Sequence, residues 1–495
     1  MQSSIESALK NVQSSIKSAS KNVKRYNKSN NKRCRMESKM VFSSLEFIFV
    51  FLPIFLIIYA FAPKKYKNFI ILLASIVFYT VGSINHPEYI ALILLSSFIT
   101  YFLGRFTKKN KIALIVGILY NIGTLVFFKY YNFILSILFD LFKLEFTKID
   151  LALPIGISFY TFQLISYLID VYKQKTPSEK NFLKFLTYVL MFPKLISGPI
   201  VDYSSIKYDL EYRKHSRDKF MLGCKYFIVG LAYKVLLADK VGLLWNEIQT
   251  IGIDSISTPL SWLGALSISL QLYFDFYGYS LMAIGIGHII GFDLPENFDN
   301  PYLSTSMTEF WRRWHITLSQ WFRDYIYIPL GGNRKGKLKT IRNLLVVWIL
   351  TGLWHGASYN FLIWGIGIFI ILVIEKIGLK KLLDKHKFVS HIYMIFLILI
   401  MWTVFSVTNI SELGIMLSKM FSTSSGIYAI DFVKYAKQYG ALLIAGVICC
   451  TSLPQKILLK DNDSNFRLIL LFVLFWVSVY FLYNGLHNPF LYFQF

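Results

Sequence analysis

A stretch of 32 residues between Arg342 and Glu375 contains no Asp, Glu, Lys or Arg. A helix needs only about 20 apolar residues to cross a bilayer, so this stretch is long enough to span one. It carries one imidazole, within Trp354-His355-Gly356. The pattern predicts a membrane-spanning segment with His355 near its middle. Ionisable groups at that depth are costly and commonly functional. The alternative is a core histidine that is hydrogen-bonded to a neighbouring helix.

Apolar runs of this kind recur along the whole chain. Charged residues make up 16% of it, against about 25% in soluble domains. We therefore expect an all-α polytopic membrane protein with about 11 transmembrane helices, plus interfacial or re-entrant helices, in one domain from residue 40 to 495. The runs lie at residues 45–62, 69–84, 89–104, 111–128, 151–172, 181–197, 220–244, 260–291, 343–374, 390–408, 438–453 and 467–484. Phe133–Phe142 is too short to span, and charges interrupt 220–244, so both are expected at least partly at the interface.

The net charge of +24 comes mainly from short segments between these runs. This distribution is typical of membrane topology, in which basic loops face the cytoplasm, and it does not indicate a nucleic-acid partner. The basic loops Pro63–Asn68 and Arg105–Lys111 predict that the first helix runs from outside to inside. Residues 1–39 contradict this orientation, because they hold ten Lys or Arg and two Glu. We expect this basic extension to be disordered and the mature protein to begin at Met40.

The polar middle of the chain, residues 292–342, carries a second candidate imidazole, His315. Ser306-x-x-Glu309 forms a capping box, which predicts a helix from Met307 to Ile326. That helix would be amphipathic and would lie at the membrane interface. Its apolar face would carry His315 towards the interior of the protein. Helical spacing places on this face Trp311, His315, Leu318, Ser319 and Phe322. Arg312 lies away from its centre, and Arg313 is expected to pair with Glu309.

Two histidines in apolar surroundings suit one chemistry in particular. A neutral imidazole can take a proton from an alcohol as the alcohol attacks a thioester or ester. Neither His-Glu-x-x-His nor Gly-x-Ser-x-Gly occurs, and no metal ligand set is expected. A third polar group, Asp275, lies in an apolar run, where a structural partner such as an Arg or a backbone N–H is favoured over catalysis. These residue types predict acyl transfer with a histidine as general base.

Several motifs resemble those of the membrane-bound O-acyltransferase (MBOAT) family. They are Tyr273-Phe-Asp-Phe-Tyr-Gly-Tyr-Ser, Pro295-Glu-Asn-Phe, Thr308-Glu-Phe-Trp-Arg-Arg-Trp-His, Trp321-Phe-Arg-Asp-Tyr-Ile-Tyr-Ile-Pro-Leu-Gly-Gly-Asn-Arg and Gly352-Leu-Trp-His-Gly-Ala-Ser-Tyr-Asn. The chain is most similar to the bacterial branch of alginate O-acetylases and peptidoglycan O-acetyltransferases. The resemblance covers about residues 40–495. Lys194 and Leu281 depart from that branch, which commonly has Gln and an acidic residue there.

The resemblance implies a ring of helices around a central funnel, with a tunnel that joins a cytoplasmic donor to an extracytoplasmic acceptor. In it, His355 corresponds to the catalytic histidine of the family and His315 to the second histidine. Residues of the same motifs are expected to support them or to line the tunnel: Trp354, Asn360, Asp275, Trp311, Arg312 and Arg313. The C-terminal Phe490-Leu-Tyr-Phe resembles a tail of this branch. Tyr492 is then either an acyl relay or an aromatic interfacial anchor.

The resemblance also implies a function. An acetyl group would move from a cytoplasmic thioester to an extracellular or cell-wall polysaccharide of the alginate, cellulose or peptidoglycan type. The donor would be acetyl-CoA, and no bound cofactor is expected. The enzyme would be located in the bacterial cell membrane, and its partner would be an extracytoplasmic SGNH-type acetyltransferase. One alternative is D-alanyl transfer to teichoic acid from a carrier-protein thioester. An alternative of another class is a non-catalytic transporter or acyl channel.

Overall fold

The computed structural model describes residues 40–422, 430–459, 464–485 and 491, and the regular structure of these residues is helical. The basic extension 1–39 and Tyr492 lie outside them. The first half of the chain contains α1 (Leu52–Phe61), α2 (Lys67–Gly82), α3 (Glu88–Thr107), α4 (Lys111–Leu141), α5 (Ile157–Tyr172), α6 (Phe182–Leu190), α7 (Phe192–Leu195), α8 (Tyr203–Tyr212) and α9 (Arg217–Ala232).

The second half continues with the helices that carry His355 and flank His315. They are α10 (Asp239–Ile251), α11 (Thr258–Ile289), α12 (Met307–Arg313), α13 (Ile316–Phe322), α14 (Lys337–His355), α15 (Tyr359–Ile374), α16 (Lys380–Lys385), α17 (Lys387–Ser406), α18 (Ile410–Phe421), α19 (Ile430–Cys449), α20 (Leu453–Leu458) and α21 (Asn465–Tyr483). Most of the predicted apolar runs are thus confirmed as helices. A helix pairs its backbone N–H and C=O groups within itself, as the hydrocarbon core of a bilayer requires.

Five helical segments of the described part of the chain are long and apolar enough to cross a membrane by length and composition. They are α3, α4, α15 with its continuation to Lys385, α17 and α21. This supports the predicted polytopic membrane class, whereas the predicted number of about 11 spanning helices stays a prediction.

Helix α11 is the centre of the molecule, since 25 of its 32 residues are buried. It packs against α9, α10, α17, α18 and α19. The contact with α9 is a backbone contact: a Cβ on Gly278 or Gly285 would lie 2.6 Å from the carbonyl oxygen of Gly230 or Gly223, respectively. Small residues permit this close approach of two helices.

Between α9 and α10, a π-helical turn at Tyr233–Ala238 places a lysine in the core. The Nζ atom of Lys234 lies 2.7 Å from Oδ1 of Asp239 and 2.6 Å from Oδ1 of Asp275 on α11. All three side chains are at most 3% exposed. The charges of Lys234 and Asp239 are paired inside the protein, and the predicted interfacial position of this segment stays a prediction.

Two predicted boundaries are wrong. Helix α4 runs without a break through 31 residues, so Phe133–Phe142 is its end and not a separate interfacial helix. The apolar stretch 343–374 is also not one spanning segment. It forms the antiparallel hairpin of α14 and α15, in which a Cβ on Gly365 would lie 2.5 Å from the carbonyl oxygen of Trp348.

Candidate active site

His355 is the last residue of α14, so it lies at the turn of the hairpin and not near the middle of a straight helix. Gly356 has extended backbone angles and ends the helix, and Ser358 precedes the first residue of α15. The imidazole is 8% exposed. It is enclosed by aromatic rings, with centroids 4.9 Å away for Phe405 and 5.2 Å for Trp364, both nearly perpendicular to it.

His315 lies in a break between two helices. The predicted continuous helix Met307–Ile326 is wrong, because α12 ends at Arg313 and α13 starts at Ile316. The backbone of His315 is left-handed, with φ 42° and ψ 55°, a conformation that costs energy for a residue other than glycine. The segment before α12 holds it there: Ile316 N donates to the carbonyl of Asn297 at 2.9 Å.

The Asn297 side chain fixes the protonation of His315. Its Oδ1 accepts from Thr317 N at 3.3 Å and from Thr317 Oγ1 at 2.9 Å, and it lies 3.1 Å from Nδ1 of His315. This oxygen accepts from a backbone N–H, so it is the carbonyl oxygen of the amide. Nδ1 of His315 must then be protonated and donate a hydrogen bond to it. Nε2 of the neutral imidazole is then an acceptor. Within the part of the chain that the structure describes, Nε2 has no hydrogen-bond partner, and His315 is 1% exposed.

Trp354 lies between the two imidazoles. Its ring centroid is 6.0 Å from that of His315 and 5.0 Å from that of His355. On another side, Phe162 of α5 stacks on the indole at 5.6 Å and 21°. The predicted pair of histidines is therefore brought together around one aromatic ring, in an interior built from α5, α11, α13 and the hairpin. Phe276 of α11 adds an edge contact to His315 at 4.7 Å.

The predicted site residues also include Asn360, Trp311, Arg313 and Arg312. Asn360 is fully buried and donates to the carbonyl of Phe405 at 2.7 Å, and so holds a residue that touches His355. Trp311 packs between Trp348 at 4.7 Å and Trp364 at 5.6 Å. Arg313 makes the predicted pair with Glu309 at 2.8 Å. Arg312 is exposed.

For Asp275, the sequence favours a structural partner over a catalytic role. The structure shows such partners, although the cation is a lysine and not an arginine. Besides Lys234, its Oδ2 accepts from the backbone N–H of Leu491 at 2.7 Å. The carboxylate thus links the central helix to the C-terminal segment. Tyr492, the predicted relay, is the next residue and lies outside the described part of the chain.

A cavity of about 150 Å³ lies between α12–α13 and α14. Thr351, Trp348 and Leu344, which line it, precede His355 by four, seven and eleven residues and so share its helix face. The other side consists of residues that include Trp311, Leu318, Ser319 and Phe322. These four residues were predicted to share one apolar helix face, and they line the same cavity although the helix breaks at His315. The lining is mainly apolar, apart from Arg323 and the hydroxyl groups of Ser319, Tyr327 and Thr351.

Sequence reasoning missed the part played by Asn297, although Pro295-Glu-Asn-Phe was recognised as a motif. An asparagine between two prolines looks like loop chemistry, and its bond to His315 spans 18 residues. The described residues contain no group of three or more His, Cys, Asp or Glu side chains that could hold a metal ion. Lys194, which departs from the family pattern, is fully buried, and its Nζ donates to Oε1 of Gln163 at 2.5 Å.

Comparison with known proteins identifies the family. Residues 177–418 match the model of the MBOAT, membrane-bound O-acyltransferase, family. The chain is 37% identical over 489 residues to the probable alginate O-acetylase AlgI of Pseudomonas putida, which covers 92% of this chain and 100% of the relative. It is 35% identical over 365 residues to the peptidoglycan O-acetyltransferase of Helicobacter pylori, covering 66% and 68%.

A more distant relative is the teichoic acid D-alanyltransferase of Bacillus subtilis, 29% identical over 224 residues, or 43% of this chain and 56% of that one. The residues matched by the family model include both histidines and the hairpin, and the match to the Pseudomonas putida relative covers 92% of the chain. The chain therefore belongs to the membrane-bound O-acyltransferase family and is an O-acyltransferase.

Proposed function

We propose that this O-acyltransferase moves an acetyl group from a cytoplasmic thioester, acetyl-CoA, across the bacterial cell membrane for O-acetylation of an extracellular or cell-wall polysaccharide. The polymer would be of the alginate, cellulose or peptidoglycan type. The names of two relatives, an alginate O-acetylase and a peptidoglycan O-acetyltransferase, support an acetyl group and a polysaccharide acceptor. The five apolar helical segments support a site within a membrane.

The two imidazoles around Trp354 are the observation that carries this proposal. His355 is the general base. It takes the proton of the acceptor hydroxyl while the hydroxyl oxygen bonds to the thioester carbonyl carbon. The C–S bond then breaks, and the thiolate leaves with the proton that the imidazole returns.

His315 assists by orienting a hydroxyl rather than by donating to the developing oxyanion. Its Nδ1 proton is directed to Asn297, so that Nε2 accepts a hydrogen bond from a hydroxyl. The buried, aromatic surroundings exclude water, which limits hydrolysis of the thioester.

The donor approaches along α14. The cavity of about 150 Å³ follows the helix face that ends at His355. The helix begins within the segment Asn333–Arg342, which carries five Lys or Arg. Such a segment faces the cytoplasm and attracts the phosphates of an acyl-CoA, while the apolar cavity suits its acyl-bearing arm.

Tyr492 receives the acyl group on its phenol oxygen and passes it to a separate extracytoplasmic transferase of the SGNH type. The support is the position of the preceding residue, because the N–H of Leu491 donates to Asp275 at 2.7 Å. Asp275 precedes Phe276, whose ring contacts His315. Loss of polymer acetylation in Tyr492→Phe, with activity retained in Phe490→Leu, supports the relay. Full activity of Tyr492→Phe contradicts it.

The acetyl and D-alanyl content of surface polymers, measured in a deletion strain that carries single variants, tests the proposal. We expect His355→Ala to accumulate in the membrane and to abolish ester-linked acetyl groups. His386→Ala is the matched control, because His386 is exposed at the start of α17. Unchanged acetyl content in His355→Ala contradicts the proposal. Loss of ester-linked D-alanine instead of acetyl groups favours the teichoic-acid alternative.

A further inference from the structure

The helix that carries His355 ends with unusually well-paired carbonyl groups. The last four carbonyls of a helix have no partner within it, and a buried or lipid-facing carbonyl without a partner is costly. At the end of α14, the carbonyls of three consecutive residues, Leu353, Trp354 and His355, accept hydrogen bonds from side chains of another helix.

Both donors are neighbours on α4. The hydroxyl of Tyr130 donates to Leu353 O at 2.5 Å. The ammonium of Lys129 donates to Trp354 O and, at 3.3 Å, to His355 O. Two adjacent residues therefore hold three of the last four carbonyls of α14.

Lys129 uses its remaining donor on a third helix. Its Nζ lies 3.4 Å from Oγ of Ser158, at the start of α5, so each of the three N–H groups of the ammonium has an acceptor. A cation is also favourable at the C-terminal end of a helix, where the helix dipole is negative. Lys129 lies in one of the apolar segments long enough to span a membrane, a position where a lysine is rare unless it is paired or functional.

We infer that Lys129 and Tyr130 are positioning residues for the acyl transfer, because they fix the helix end from which the imidazole of His355 projects. The inference rests on the proposed role of His355. Lys129 bonds the carbonyl of His355 itself, so its loss frees the backbone at the reacting residue. A displacement of about 1 Å at a reacting group is enough to cost about 10²-fold in rate.

The test is steady-state kinetics with labelled acetyl-CoA and polysaccharide acceptor, on full-length protein in nanodiscs. We expect Lys129→Met to lower kcat by about 10- to 100-fold with the KM for acetyl-CoA unchanged. Lys129→Arg restores most of the rate, because it returns a cation to the same carbonyls. Thr124→Val is the matched control on the same helix, since the Thr124 hydroxyl donates to Tyr120 O of its own helix, and this variant keeps the wild-type kcat.

A wild-type kcat in Lys129→Met, or a raised KM with unchanged kcat, overturns the inference. If Lys129→Met does not accumulate in the membrane, Tyr130→Phe decides, because it removes one hydroxyl and keeps the ring. A lower kcat in that variant supports the inference, and a wild-type kcat overturns it. His355→Ala in the same assay tests the proposed function separately. An active His355→Ala contradicts the proposed function, whereas an inactive one beside a fully active Lys129→Met overturns only the inference.

Discussion

The Nδ1 atom of His315 lies 3.1 Å from Oδ1 of Asn297, and the same oxygen accepts from the backbone and the hydroxyl of Thr317. Asn297 therefore has the role that a carboxylate has beside a catalytic histidine: it selects the tautomer and holds the ring. It does so without a charge, which suits a fully buried position where an unpaired carboxylate would be costly.

Replacing Asn297 tests this relationship. In Asn297→Ala the Nδ1 proton loses its acceptor and the ring is free to turn, so we expect acetyl transfer to fall by about 10- to 100-fold. Glu296→Gln is the control, since Glu296 is the exposed neighbour. Acetyl transfer from labelled acetyl-CoA measures both. A wild-type rate in Asn297→Ala would mean that the tautomer of His315 is irrelevant to the reaction.

The buried ion cluster of Lys234, Asp239 and Asp275 makes a prediction about stability. Lys234→Met leaves two carboxylates in the core without their cation, which we expect to cost about 3–5 kcal/mol. The apparent Tm in detergent, followed by tryptophan fluorescence, measures the loss. Lys240→Met, at a partly exposed position next to the cluster, serves as the control and should shift the Tm far less. Equal shifts in the two variants would show that the cluster adds no stability.

Glu375 caps a helix from a distant position. Its carboxylate accepts from Met307 N at 2.6 Å and from Thr308 N at 3.0 Å, the first two residues of α12. Glu375→Gln removes the charge at this helix start and should cost about 1–2 kcal/mol. The apparent Tm measures this, with the exposed Glu412→Gln on α18 as the control. A variant as stable as the wild type contradicts the cap.

The pair of Asp202 and Lys175, 2.7 Å apart, gives a pH dependence. Burial alone would raise the pKa of Asp202, but hydrogen bonds from Lys175 and Ser205 outweigh it and lower the pKa. A lowered pKa stabilises the fold above the unfolded value of about 3.9, and this stability is lost as the pH falls through the folded pKa. Asp202→Asn should therefore lower the Tm at pH 7, and the difference should shrink below about pH 4. A constant difference would contradict the ion pair.

Much of the fold follows from hydropathy alone, because lipid-facing and core helices both need continuous apolar runs. The start of α12 was also predictable: Ser306 Oγ accepts from Glu309 N at 3.1 Å, as its capping motif requires. Glu309 itself reaches back to Thr305 N and not to Ser306. These features are local in the sequence.

The features that hydropathy missed depend on contacts between distant segments. Hydropathy does not predict the chain reversal after His355, because the glycine, alanine and serine that follow are also compatible with a helix in a membrane. Lys129 lies at the end of a predicted spanning run, and its carbonyl acceptors on α14 are more than 200 residues away. The left-handed backbone of His315 depends on Asn297 in a preceding loop.

In the proposed function, the imidazole of His355 takes the proton of the acceptor hydroxyl. The most direct test of this role is the rate of labelled acetyl transfer by purified His355→Ala, compared with wild-type protein at equal amounts in nanodiscs. We expect the rate of acetyl transfer to fall by about 10²- to 10⁴-fold, with the apparent Tm retained. Transfer at the wild-type rate by a folded His355→Ala would contradict this role.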